Sequence, residues 1–109
     1  MFEVKSIEKG STFNGLGIGE IYRFYFEDKI KELKLHITIC FDGRLFFTIT
    51  SFPKNSIIKQ DSTIFNVVKN IDVKFYDSIP NKIIDHIGTE ECKNISNFIE
   101  KYCENIEFM

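Results

Sequence analysis

The sequence predicts an α+β domain, an antiparallel sheet of about four or five strands with a C-terminal amphipathic helix packed on one face. Three observations carry that expectation. Leu33, Leu35, Ile37, Ile39 and Phe41 alternate with Lys34, His36, Thr38 and Cys40, the period of a half-buried strand. After Asp42-Gly43 a second alternating run follows through Leu45, Phe47 and Ile49. Near the end, Cys92, Ile95, Phe98, Ile99, Tyr102, Cys103 and Ile106 recur at helical spacing as one apolar stripe, so one face of that helix has to be buried.

In chain order, Phe2 to Glu8 reads as a short strand. The segment Gly10 to Gly19 holds four of the six glycines, which marks a loop or a backbone needing positive φ. From Ile18 or Ile21 to Glu27, the β-branched and aromatic run Ile-Tyr-Arg-Phe-Tyr-Phe reads as a strand, with Asp28 to Glu32 as its turn. The turn between the two alternating runs is set by face matching. A two-residue Asp-Gly turn pairs Ile39 with Phe46 and mixes polar with apolar residues on both faces, whereas a three-residue loop, Phe41-Asp42-Gly43, pairs Ile39 with Leu45 and Ile37 with Phe47. The longer loop is expected, with Gly43 at positive φ. Pro53 ends the strand because it has no N–H for a ladder.

Ile64, Phe65, Val67, Val68 and Ile71 follow helical spacing, which favours a short helix over Ser62 to Ile71, with an extended strand as the alternative. Asp72 to Asp77 is then expected to be the last strand. Pro80 suits the first turn of a short helix through Ile83, Ile84 and Ile87, closed by Gly88. For the final helix Thr89 is the expected N-cap, and Glu90 and Glu91 suit its positive first turn. No linker or repeat divides the 109 residues, and two cores would each approach the lower size limit for independent folding, so residues 1–109 are read as a single domain.

Composition narrows the functional classes. Apolar residues make up 43%, and 12 Phe with no Trp predict a Phe-dominated interior. No apolar run approaches the roughly 18 residues that span a bilayer, and Met1-Phe2-Glu3-Val4-Lys5 lacks the basic and apolar regions of a signal peptide. No membrane is expected as a partner, and the expected location is cytoplasmic. With a net charge of −2 no nucleic-acid footprint is expected either. The aromatic group Tyr22, Phe24, Tyr25 and Phe26 has only Arg23 and few lysines near it, which favours a sheet core over a base-stacking platform.

Candidate chemistry is sparse. Gly15-Leu-Gly17-Ile-Gly19 lacks the third glycine of a dinucleotide loop, where Glu20 stands, and lacks the Gly-Lys-Ser/Thr of a Walker loop. Gly15 and Gly17 are therefore read as part of a partner-contacting loop. His36 and Cys40 share a strand face but lie roughly 13 Å apart at strand rise, too far for proton transfer. The three cysteines, Cys40, Cys92 and Cys103, show no CxxC spacing; Cys92 and Cys103 on one helix are separated by roughly 16 Å, beyond disulfide reach. Free thiols, no metal site, no cofactor and no catalytic residue are the expectation.

Charge distribution is the remaining clue. From Asp77 to Met109 seven acids face three lysines, a balance of −4, so the other 76 residues carry +2. Glu100, Glu104 and Glu107 lie on one face at the C-terminal end of the helix, where mutual repulsion and the helix dipole both disfavour them. In size, AT-rich composition without alanine, α+β pattern and this glutamate set, the chain resembles the small immunity proteins of bacterial contact-dependent and polymorphic toxin systems. The resemblance implies a non-catalytic protein that binds and neutralises a cognate toxin domain, often a nuclease, the acidic surface standing in for nucleic acid. From the charge pattern of the helix and from the glycine-rich loop, and not from the resemblance, partner-binding residues are expected at Glu100, Glu104, Glu107, Gly15 and Gly17. Two other readings stay open: a small-molecule-binding or minor enzymatic domain with a pocket between sheet and helix, and a phage-type inhibitor of a host protein.

Overall fold

A computed structural model describes residues 1–11, 20–40, 42–64 and 74–104. Five strands, β1 (Glu3–Ser11), β2 (Glu20–Asp28), β3 (Leu33–Cys40), β4 (Arg44–Ser51) and β5 (Ile57–Ile64), pair antiparallel with their chain neighbours in the order β1-β2-β3-β4-β5. A 3₁₀ turn (Phe75–Ser78) leads into two helices, α1 (Asn81–Ile87) and α2 (Thr89–Cys103). The fold is α+β, with α2 packed against one face of the sheet.

Alternation decides which face that is. Phe24, Phe26, Leu35, Ile37, Ile39, Leu45, Phe47 and Ile49 are each at most 2% exposed and lie in register across β2, β3 and β4. They form one core with Phe75, Ile83, Ile87, Cys92, Ile95 and Ile99 from the helical layer. Rings lock the layers together: Tyr102 of α2 meets Phe24 edge-on at 5.3 Å between centroids, and Phe98 meets Phe26 at 5.9 Å, separations at which aromatic pairs attract. The opposite face carries Arg23, Tyr25, His36, Thr38, Phe46 and Thr48, all half-buried.

The β3–β4 hairpin has the expected register, Ile39 opposite Leu45, Ile37 opposite Phe47 and Leu35 opposite Ile49. Gly43 takes a φ of 100° and donates its N–H to the Cys40 carbonyl at 2.9 Å. β4 stops at Ser51, two residues before Pro53.

Four expectations are corrected. β1 runs on to Ser11, and a fifth strand, β5, occupies Ile57–Ile64, so Ser62, Thr63 and Ile64 are strand rather than the start of a helix over 62–71. As an edge strand β5 has no buried stripe to announce it, its residues being alternately exposed and half-buried. Phe75–Ser78 is a 3₁₀ turn rather than the end of a strand over 72–77; with Pro80 three residues beyond Asp77, a ladder there would soon lose a donor. Thr89 is the first residue of α2 and Gly88 its N-cap, because Gly88, at φ 96°, ends α1 and begins α2 at once. Phe41 and residues 65–73 of the expected helix and strand lie outside the described residues.

Candidate interaction surface

The acids expected to bind a partner are built on the last turns of α2. Glu100 and Glu104 stand one turn apart on one helix face, but their situations differ. A 3₁₀ turn begins with backbone donors that have no partner within it, and the Glu100 carboxylate supplies one: Oε1 accepts the Phe75 N–H at 3.0 Å. Glu100 is half-buried and ties the Phe75–Ser78 turn to α2. Repulsion and dipole argue against a glutamate here; this hydrogen bond is what it gives in return.

Glu104 has no such role. It is exposed in the C-cap position, its backbone N–H donating to the Glu100 carbonyl at 3.1 Å. Among the described residues its carboxylate forms no ion pair or hydrogen bond, and Lys101 does not bridge to it. Asp77, also exposed, lies two residues beyond Phe75, on the 3₁₀ turn that Glu100 ties to α2. Glu107, Gly15 and Gly17 lie outside the described residues, and the acidic set is brought together only as far as Glu100 and Glu104.

Two carboxylates outside the expected site, Asp28 in its turn and Glu91 in the first turn of α2, tie distant parts of the chain together. Asp28, 1% exposed, ends β2; Oδ1 accepts the N–H groups of Ile30 and Lys31 at 3.1 and 3.2 Å, and Oδ2 accepts from the Met1 ammonium at 3.0 Å. Burial alone would raise its pKa, but these hydrogen bonds overrule it and hold the carboxyl below its ordinary value. An Asp opening a polar turn is a known turn-capping signal, so this role was legible. Glu91 accepts the Phe2 N–H at 3.1 Å across 89 residues of chain, a contact that no local pattern announces.

Burial shifts three thiols and one imidazole toward their neutral forms. Burial pushes the Cys92 and Cys103 thiols up to about 11 and raises Cys40, which lies with Ile21 under Phe46; thiols so shifted stay protonated near neutral pH. All three are free. His36 packs edge-on against Tyr25 at 4.7 Å, and burial, with Lys34 nearby, lowers its pKa. The Tyr25 hydroxyl donates to Glu8 at 3.1 Å. Tyr22, Phe24 and Phe26 are core residues, whereas Tyr25 lies half-buried on the other face beside Arg23.

Among the described residues, no group of three His, Cys, Asp or Glu is placed to hold a metal ion, and no helix is long and apolar enough to cross a membrane. Between sheet and helices lie the buried side chains of Phe47, Phe75, Ile83 and Ile99, and no buried side-chain nitrogen or oxygen among the described residues lacks a partner. Compared with known proteins, the chain matches no family model, no curated protein and no solved structure.

Proposed function

We propose that this chain is a non-catalytic binding protein of the immunity type, which docks through the end of α2 and the adjoining 3₁₀ turn onto a basic face of a toxin domain. The observation that carries the reading is Glu104: an exposed carboxylate at the negative end of a 15-residue helix, unpaired among the described residues. A charge placed against the dipole costs about 0.3 to 1 kcal/mol, and a cationic partner would offset that cost. Asp77 and the free oxygen of Glu100 extend the negative surface, while the bond from Phe75 to Glu100 holds both elements in fixed relation. Rigid placement of this kind lowers the ordering entropy lost on binding.

The test begins with the full chain immobilised and exposed to lysate of its source cell at low salt. One basic protein should be retained and released as salt rises, because steering by exposed charge is screened. With that protein in hand, Glu104→Gln should slow association several-fold and raise the melting temperature slightly, since the dipole conflict is relieved. An unchanged association rate alongside the small stability gain would mean a merely solvated glutamate and would end the proposal.

A further inference from the structure

β5 is the last strand of the meander; β4 pairs with one of its edges, and among the described residues nothing pairs with the other. Eight residues is a long open edge, and such edges invite further strands unless something repels them. This one is apolar at both ends, with Ile57 64%, Ile58 41% and Ile64 83% exposed. At its centre Lys59 and Asp61 lie on the sheet face that the helices cover, opposite Ile49 and Phe47. Neither has an ion pair among the described residues; Asp61 accepts only the Ser62 N–H, at 2.8 Å.

Charges pointing inward from an edge strand repel an unrelated strand, because pairing would bury them without a partner. A second copy of β5 escapes that penalty in one arrangement. Run antiparallel with Gln60 on the two-fold axis, it sets Lys59 across from Asp61 of the second copy and Asp61 across from its Lys59. Before Lys59 the strand is irregular, since β4 skips Ile58 in pairing Thr50 with Ile57, so the match rests on the central residues. Moving the axis onto Lys59 or onto Asp61 puts like charges face to face, which is destabilising. Placing it between residues pairs the helix side of one strand with the open side of the other, against the pleat. The sequence Ile57-Ile-Lys-Gln-Asp-Ser-Thr-Ile64 is thus charge-complementary to itself in a single register.

We propose that β5 is a homodimer interface: two copies join edge to edge, antiparallel about Gln60, into one continuous sheet held in register by two Lys59–Asp61 pairs. On pairing, the Asp61 carboxylate, which accepts the Ser62 N–H within one copy, turns to meet Lys59 of the second copy. The proposal stands apart from the reading of Glu104, since the charges involved are on β5.

Sedimentation velocity on the full chain at tens of micromolar tests it. The unaltered protein should sediment as a dimer, and Lys59→Glu should raise the dimer dissociation constant by about tenfold or more, two attractive pairs having become repulsive. The double variant Lys59→Asp/Asp61→Lys should restore the dimer, and it remains informative even if the single variant folds poorly, because it keeps the charge complement. A protein monomeric throughout that concentration range overturns the proposal. So does a dimer indifferent to Lys59→Glu, or a folded double variant that stays monomeric.

Discussion

At the scale of single residues, carboxylates in this protein divide by whether a backbone N–H needs them. Asp28 serves the Ile30 and Lys31 donors, Glu91 that of Phe2, and Glu100 that of Phe75; among the described residues Glu104 serves none. Asp28 is the most buried of them, and its removal has a definite signature. Asp28→Ala strands two turn donors in a part-buried place, a loss of about 2 kcal/mol at neutral pH. Because the folded-state pKa of Asp28 lies below its ordinary value, its contribution is fully present above the unfolded pKa, about 3.9, and is lost as pH falls through the folded value. Urea midpoints of the two proteins should therefore differ at pH 7 and converge in strong acid; a gap independent of pH would mean that the ionised carboxylate is not what stabilises the turn. The same residues show where reading the sequence stops. Asp28 opens a polar turn and could be recognised there, whereas Glu100 looked like a misplaced charge because its partner, Phe75, is 25 residues away in the chain. Dipole and spacing rules count only local costs, and the compensating bond is tertiary.

At the scale of elements, what could be read is what alternates across a buried face. β3 and β4 bury one side each, so a one-residue slip would expose Ile37 and Phe47, and the hairpin register follows from the apolar pattern alone. β5 lacks that constraint: its helix-facing positions hold Lys59, Asp61 and Thr63, and the apolar spacing of Ile64 onward invites a helical reading that Ser62, Thr63 and Ile64 do not obey. Sheet pairing overrides such weak local preference. The hairpin offers the sharper test, since its loop demands a backbone that only glycine adopts freely. Gly43 sits at φ 100°, and Gly43→Ala should cost about 1 to 2 kcal/mol, from the strain of placing a Cβ at positive φ. Thermal melts of the two proteins measure it. Equal stability would mean that the loop relaxes to another turn, and with it the register argument would lose its anchor at Gly43.

At the scale of the whole molecule, the sheet and the helical layer share one core, and neither can bury its apolar face without the other. Phe47 at the centre of the sheet is fully buried against Phe75 of the 3₁₀ turn, with 6.0 Å between rings, while Tyr102 reaches from α2 to both Tyr22 and Phe24. An isolated helix of α2's length is marginal in water, so α2 should persist only while the sheet is folded beneath it. With no tryptophan in the chain, tyrosine is the natural reporter of packing. Near-ultraviolet circular dichroism, to which the Tyr22–Tyr102 contact contributes, and the far-ultraviolet helix signal should be lost in one coincident transition, as two-state unfolding requires. Phe47→Ala lies in the sheet, yet it should lower both midpoints together, at a cost of about 3 to 5 kcal/mol. Separate midpoints, with the helix signal outlasting or preceding the tyrosine signal, would mean that the two layers fold as distinct units. In that case the hydrogen bond from Phe75 to Glu100 would join parts that move independently, and the end of α2 could not present Glu104 and Asp77 as a single fixed surface.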